Sequence, residues 1–262
     1  MFERSGNPTI EEFFATLKHS ASPTIVVEGK DDTTFYQDIE RQLGSELDFL
    51  PVGGRTVLLE LFKRRHNIKI PVVFVADRDM WVFGRRPNGL GDLVLTKGFS
   101  IENDMFDENR FLKELTPSGK EYFTKMKAPL SEWFAYQVEQ KRKTGECCLR
   151  CSINELVDAD YHLVPSVANF KFTPSKRLVS FIEKNCWVKF RGKTLLDICF
   201  RARCMGRSGP RQTKDQFIKE LSNSPASPRK RKLLSRIAER YEEEKKRCKW
   251  GAHVRQTTAV NV

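Results

Sequence analysis

Two short apolar runs organise the chain. Thr24-Ile25-Val26-Val27 ends in Glu28-Gly29, and Val72-Val73-Phe74-Val75-Ala76 ends in Asp77-Arg78-Asp79. Continuous β-branched runs of this length predict strands buried on both faces, as in a parallel sheet. A third run, Leu47 to Val52, stands between them and is closed by Gly53-Gly54, a tight turn whose N–H groups also suit a phosphate.

Helical spacing fills the gaps. Thr9-Ile10-Glu11-Glu12 has capping-box spacing, and Ile10, Phe13, Phe14 and Leu17 recur at helical intervals through Lys18. After Glu28-Gly29, Asp31 or Asp32 can cap a helix with Phe35, Ile39 and Leu43 on one face. Arg55 to His66 repeats the arrangement with Val57, Leu58, Leu61 and Phe62 inward. Strand and helix alternating at these lengths predict an α/β fold, a parallel sheet flanked by helices.

Met80 to Gly91, rich in Gly, Pro and Arg, reads as a loop in which Arg85 and Arg86 suit a substrate contact. Asp92 to Thr96 reads as a fourth strand, and Asp104 to Leu115 as a helix with Phe106, Phe111 and Leu115 apolar. From Thr116 the alternation stops and a mainly helical C-terminal region follows. Its predicted helices are Ser118 to Lys127, Leu130 to Lys143, Thr173 to Asn185, Thr194 to Cys204, Thr213 to Ser222 and Ser227 to Lys249. Trp187 to Phe190 is at most one short strand. The expected division is a catalytic domain over 1–115, a basic helical domain over 116–250 and a disordered tail over 251–262.

Charge sharpens the division. The net +12 is uneven: residues 1–120 carry −3 and residues 121–262 carry +15. A mildly acidic half beside a strongly basic one suits a polyanion held by one and cut by the other, or an acidic partner of the basic surface. Arg229-Lys230-Arg231-Lys232 opens the last helix, where the macrodipole disfavours cations, which points to a partner or else to a solvated face. No secretory signal opens the chain, the seven cysteines are an odd number, and no apolar run approaches the roughly 20 residues needed to cross a bilayer. A cytoplasmic protein with free thiols and no membrane contact is the expectation. Cys148 and Cys151 have zinc-ligand spacing, but a second pair at matching spacing is missing.

In open α/β sheets the ligand site lies beyond the carboxyl ends of the strands, so Glu28, Asp77 and Asp79 are expected to meet there. Three carboxylates in one crevice call for a cation, and oxygen-only ligands favour Mg²⁺ or Mn²⁺. Glu102 is a fourth carboxylate, at a strand end or helix start.

These residues, taken in order, resemble the Toprim domain shared by topoisomerases, bacterial primases and overcoming-lysogenization-defect nucleases. The resemblance rests on a strand ending in Glu28-Gly29, a Gly-Gly turn after the second strand, and a strand ending in Asp77-x-Asp79. Phe99-Ser100-Ile101-Glu102-Asn103 is similar to a segment of stand-alone Toprim proteins, including the effector nucleases of PARIS anti-phage systems, and Arg191-Gly192-Lys193-Thr194-Leu195-Leu196 to a late motif of that group. It covers residues 24 to about 110 well and the helical half loosely.

The resemblance implies a Toprim-like catalytic domain. Glu28 matches the family's glutamate, a metal ligand or general acid/base; Asp77 and Asp79 match the metal-binding pair; Glu102 matches the glutamate of the last segment. Lys97 and Lys30 would add positive charge to a phosphodiester transition state. The expected activity is Mg²⁺-dependent cleavage of RNA such as tRNA, or of DNA, by a toxic effector acting as a homodimer. No Gly-x-x-x-x-Gly-Lys-Ser/Thr loop is present, so the ABC-type ATPase sensor of such systems would be a separate subunit. Zinc-ribbon cysteines and a strand-passing tyrosine domain are lacking, which argues against topoisomerase and primase. A non-catalytic Toprim-like subunit that binds nucleic acid or docks on the ATPase is the competing class, and a repair mediator that binds DNA without nicking is a third.

Overall fold

The two carboxylate-ended runs are neighbouring parallel strands in the computed structural model, which describes residues 8–29, 35–36, 39, 47–206 and 212–250. β1 (Thr24–Val27) pairs in parallel with β3 (Val72–Ala76) from Thr24 opposite Val72 to Val27 opposite Val75. β2 (Asp48–Pro51) lies on the other side of β1, and β4 (Val94–Leu95) beyond β3, giving the order β2-β1-β3-β4. The fold is α/β: an all-parallel sheet with flanking helices and a mainly helical C-terminal region, consistent with a Toprim-like architecture. Every residue of β1 and β3 is buried, which is why both read as unbroken apolar runs.

The chain forms two compact units. The first comprises the described residues within 1–77, 87–96 and 230–262, the second those within 78–86 and 97–229. The expected boundary after residue 115 therefore falls inside the second unit.

In the first unit, α1 (Ile10–His19) starts with the expected capping box: Glu12 N–H donates to Thr9 Oγ1, and Thr9 N–H donates to the Glu12 carboxylate. Phe13 and Leu17 are its buried residues. Phe35, Tyr36 and Ile39 are helical and buried, while Leu43 and both expected cap residues, Asp31 and Asp32, lie outside the described residues. α2 (Arg55–Lys63) buries Leu58, Leu61 and Phe62, with the Phe62 ring edge-on to Phe74 of β3 at 5.5 Å. It is shorter than expected because the chain tightens into a 3₁₀ turn over Arg65–Asn67. The fourth strand shrinks to two residues: the Leu93 N–H turns back to the Leu90 carbonyl, and Val94 and Leu95 are the residues that pair with β3.

Asp92 is 2.9 Å from Arg65 and 3.3 Å from Arg240. Partial burial would raise its pKa, but the Arg65 hydrogen bond and the charges of Arg240 and Arg65 outweigh burial and hold the carboxyl below its ordinary value. A depressed folded pKa adds stability that is present above the unfolded-chain value of about 3.9 and is lost as pH falls through the lower folded value. Asp92→Asn is therefore expected to lower the melting temperature at pH 7 and to converge on wild type in acid below both values, as thermal melts across pH would show.

The second unit is built on α5 (Pro117–Thr144), a 28-residue helix in place of the two expected over Ser118 to Lys127 and Leu130 to Lys143. Met126, Pro129, Leu130, Trp133 and Phe134 continue one buried face across the proline, and that burial outweighs the lost N–H donor. Thr116 caps its start, and Gly145, in the left-handed region, ends it. The expected helix from Asp104 is two: α3 (Ile101–Met105) stops at extended Phe106, and Asp107 caps α4 (Glu108–Glu114). α6 (Ile153–Leu156), α7 (Pro165–Ala168) and α8 (Lys176–Lys184) follow. Trp187 to Val188 lie in a short helix, α9 (Cys186–Lys189), not a strand; Trp187 stacks on Phe123 at 5.0 Å and meets Phe106 and Phe111. α10 (Gly192–Cys204) and α11 (Lys214–Asn223) complete the unit, α11 with a capping box on Thr213. α12 (Pro228–Arg247) starts here and runs on into the first unit's residues. The predicted tail over 251–262 lies outside the described residues. Among the described residues no helix is long and apolar enough to cross a membrane.

Candidate functional site

At the carboxyl ends of β1 and β3 the first unit brings Glu28 and Asp77 together. The Asp77 N–H donates to Glu28 Oε1 at 3.0 Å, although 49 residues separate them. Sequence reasoning missed the third member. Arg55 Nε and Nη2 each donate to the same Glu28 oxygen at 3.2 Å, and Nη2 also donates to the Asp77 carbonyl. One guanidinium thus ties the end of β1 to the end of β3.

The Gly53-Gly54 turn makes this possible. With φ of 81° and 151°, both glycines occupy backbone that L side chains rarely adopt, and the chain reverses from β2 so that Arg55 opens α2 at the sheet edge. Gly54 supplies no capping side chain. Glu28 and Arg55 side chains retain 15% and 23% exposure, enough for a ligand to approach yet little enough to keep the pair from full solvation. The sequence signal for Arg55 was available: a basic residue directly after a Gly-Gly turn in a strand-turn-helix unit.

Asp79, Lys97 and Glu102 belong to the second unit. Asp79 has φ of +45°, the left-handed region, and its N–H donates to the Phe99 carbonyl at 2.6 Å. A non-glycine residue held there is strained by about 1–3 kcal/mol unless its side chain compensates, and such strain gathers at functional sites. Phe99 is in turn fixed by its N–H to the Val188 carbonyl.

From Lys97 to Asp104 the chain folds into a buried polar knot. The Lys97 and Gly98 N–H groups donate to the two Asp104 oxygens at 2.7 Å each. Burial raises the Asp104 pKa, against these two bonds and the positive charges of Arg229 and Arg78. Asn103, with no exposed surface, accepts from Ser100 N–H and donates to the Trp187 and Phe190 carbonyls. Glu102 is 3% exposed, and its Oε2 accepts from Ser100 Oγ at 2.5 Å. Gly192 passes so close that a Cβ there would collide with Ser100 Oγ and Glu102 Oε2. The two stretches named in the family resemblance, 99–103 and 191–196, therefore pack on one another inside the second unit, with Glu102 as part of that packing.

The expected nucleic-acid contacts divide. Lys30 lies outside the described residues. Arg85 and Arg86 are exposed in the second unit, and Arg231 and Lys232 are exposed in the first. Arg229 is turned inward: it donates to the Asn103 and Phe106 carbonyls and pairs with Glu108, neutralising the carbonyl end of α3. Lys230 is 1% exposed and does not face solvent. Further along α12, Arg236 donates to the Leu95 carbonyl, and Arg240 and Arg247 flank the buried Glu244. Much of the helix's positive charge is spent on its own fold.

Among the described residues no three His, Cys, Asp or Glu side chains gather in a way that could hold a metal ion. The donor chemistry of Glu28, Asp77 and Asp79 suits a hard cation, and Mg²⁺ commonly uses only one or two carboxylates, completing its shell with water and phosphate. Glu28 Oε1, however, already accepts three N–H bonds, so the described geometry presents Glu28 as an oriented carboxylate and not as one corner of a metal cage.

What fold and site together define is an α/β protein with a parallel sheet whose central strand ends carry a Glu28–Arg55–Asp77 cluster. Neither a scan against protein-family models nor a search of curated proteins gives a match to the chain.

Proposed function

We propose that the chain is a metal-dependent nuclease of the Toprim kind, a toxic effector of anti-phage defence that hydrolyses phosphodiester bonds in RNA such as tRNA, or in DNA. The observation that carries this reading is the meeting of Glu28 and Asp77 at the carboxyl ends of adjacent parallel strands, bridged by Arg55. The resemblance assigns acid/base or ligand duty to Glu28 and ligand duty to Asp77 and Asp79, one residue apart in sequence. When bound, a divalent ion supplies an activated water and neutralises phosphate oxygens. The chain's own contribution is orientation: the Arg55 fork and the Asp77 N–H hold Glu28 Oε1, fixing the direction of the carboxylate through which a proton can be managed. Lys97 is the candidate cation for the developing phosphate charge, a homodimer the candidate active form, and a separate ABC-type ATPase the candidate sensor.

The test is cleavage of labelled tRNA and plasmid DNA by purified protein. Cleavage with Mg²⁺ or Mn²⁺ is expected to stop on chelation and to fall at least about 100-fold in Glu28→Ala, the scale of losing a general base. Equal cleavage by wild type and Glu28→Ala would sink the assignment. The non-catalytic reading gains support if wild type binds nucleic acid or the ATPase but cuts nothing.

A further inference from the structure

The segment between α5 and α6, wholly inside the second unit, carries three thiols within five residues: Cys147, Cys148 and Cys151. Cys148 is exposed and Cys147 and Cys151 are half-buried, whereas Cys186 and Cys199 are buried. Backbone anchors on both sides set the positions of the outer pair. The Cys148 N–H donates to Oε1 of the buried Gln137 on α5 at 2.9 Å, and next to Cys151 the Ser152 N–H donates to the Glu155 carboxylate at 2.6 Å in the capping box of α6. Held in this way, the Cys148 and Cys151 side chains meet in a hydrogen bond across the two residues between them.

Two thiols in contact serve either as metal ligands or as a redox couple. Two sulfurs do not complete a tetrahedral zinc shell, and no third ligand joins them among the described residues. A disulfide needs only two sulfurs within reach of each other and access for an oxidant, and both are present. Burial, and then the neighbouring Cys148, push the Cys151 thiol up to about 11, so Cys151 keeps its proton and the exposed Cys148 is the sulfur that an oxidant meets. Cys147 links the pair to the candidate site. Burial raises its pKa against the opposing charge of Lys141, and Cys148 and Asp79 add to the rise, which places the Asp79 carboxylate within electrostatic reach of this segment.

From this geometry we infer that Cys148 and Cys151 are a peroxide-responsive pair that closes to a reversible disulfide on the segment beside Asp79. Cys148 Sγ attacks one peroxide oxygen, the O–O bond breaks, and the Cys148 proton leaves with the second oxygen as water. Cys151 Sγ then displaces the hydroxyl from Cys148, and the Cys151 proton leaves with it as a second water. Two thiols are thereby oxidised and one hydrogen peroxide is reduced. The new bond, about 2.05 Å, is shorter than any hydrogen bond, so closing it draws the segment in next to Asp79. Slower cleavage by the oxidised form rests on the nuclease reading; formation of the bond does not.

The experiment treats purified full-length protein with hydrogen peroxide, blocks the remaining thiols with N-ethylmaleimide in denaturant and digests with trypsin. Cuts after Lys143, Arg150 and Lys171 separate Cys148 from Cys151, so the disulfide appears as peptides 144–150 and 151–171 joined to each other. Wild type is expected to lose about 2 Da and two of its seven thiols, and dithiothreitol to restore both. Cys148→Ser and Cys151→Ser should each abolish the joined peptides, and Cys147→Ser should keep them. A bond confined to peptide 144–150, or peroxide consumed at the exposed Cys204 with Cys148 and Cys151 unlinked, overturns the pair. Cleavage of labelled tRNA with Mg²⁺ is expected to fall at least about 5-fold on oxidation of wild type and to hold steady in Cys148→Ser/Cys151→Ser, because a shift of about 1 Å beside a reacting centre costs rate. If the linked protein cuts as fast as the reduced one, control of the site by the disulfide is overturned. If the disulfide forms as expected but reduced wild type cuts nothing, the pair stands and the nuclease reading fails.

Discussion

Asn103→Asp is expected to destabilise the second unit by about 4 kcal/mol, a large part of the 5–15 kcal/mol that holds an ordinary domain together. The exchange alters one atom's chemistry and almost no volume. Asn103 is fully buried; its Nδ2 donates to the Trp187 carbonyl at 3.0 Å and the Phe190 carbonyl at 3.1 Å, and its Oδ1 accepts from the Ser100 N–H at 3.0 Å. Aspartate keeps the acceptor but sets an oxygen against two carbonyl oxygens, leaving both unsatisfied in a low-dielectric interior. Either the carboxyl takes up a proton, restoring one of the two bonds, or the segment between Trp187 and Phe190 detaches. Thermal or urea unfolding at pH 7 should show a loss of about 10 °C or more, partly recovered on acidification as the carboxyl becomes neutral. A variant melting within 2 °C of wild type would mean that the Asn103 bonds do not hold this segment.

That same segment marks where sequence reasoning stopped. Trp187-Val188-Lys189-Phe190 alternates like a short strand, yet Cys186–Lys189 is a helical turn closed by its own backbone bonds, and Asn103, more than 80 residues earlier, donates to the Trp187 and Phe190 carbonyls. No local pattern encodes that pairing. The strands themselves were legible because burial on both faces leaves an unbroken apolar run, and the carboxylates closing those runs locate the sheet edge without knowledge of pairing. The break expected between Lys127 and Leu130 erred in the opposite direction: a proline's local preference is to end a helix, but at Pro129 a continuous buried face overrides it, and only the tertiary partner reveals the face as continuous. Charge was the least legible property. Arg229 and Lys230 look in sequence like the first half of a polyanion-binding run, whereas one seals the end of α3 and the other is buried. Arg150, Arg191, Lys193 and Lys214, dispersed in sequence, line one cavity.

At the sheet edge the undetected residue is also the one with the sharpest test. Arg55→Leu is expected to destabilise the first unit by about 2 kcal/mol, less than the 3–5 kcal/mol of a fully buried pair because both side chains keep some exposure. Any Glu28-dependent cleavage should fall by about 30–100-fold, since Glu28 would lose both guanidinium bonds that orient it. Arg55→Lys separates the two effects. An ammonium retains the charge opposite Glu28, but it lacks the planar fork by which Nε and Nη2 share one carboxylate oxygen while Nη2 also reaches the Asp77 carbonyl. Lysine should therefore restore most of the stability, read as the urea midpoint, and little of the turnover at saturating Mg²⁺ and substrate. Full recovery of both would make the pair a charge contact alone. Wild-type cleavage by Arg55→Leu alongside lost stability would confine the guanidinium to holding the strand ends. The expected split follows from the geometry: what Arg55 contributes beyond charge is direction, fixing one Glu28 oxygen to the end of the adjacent strand.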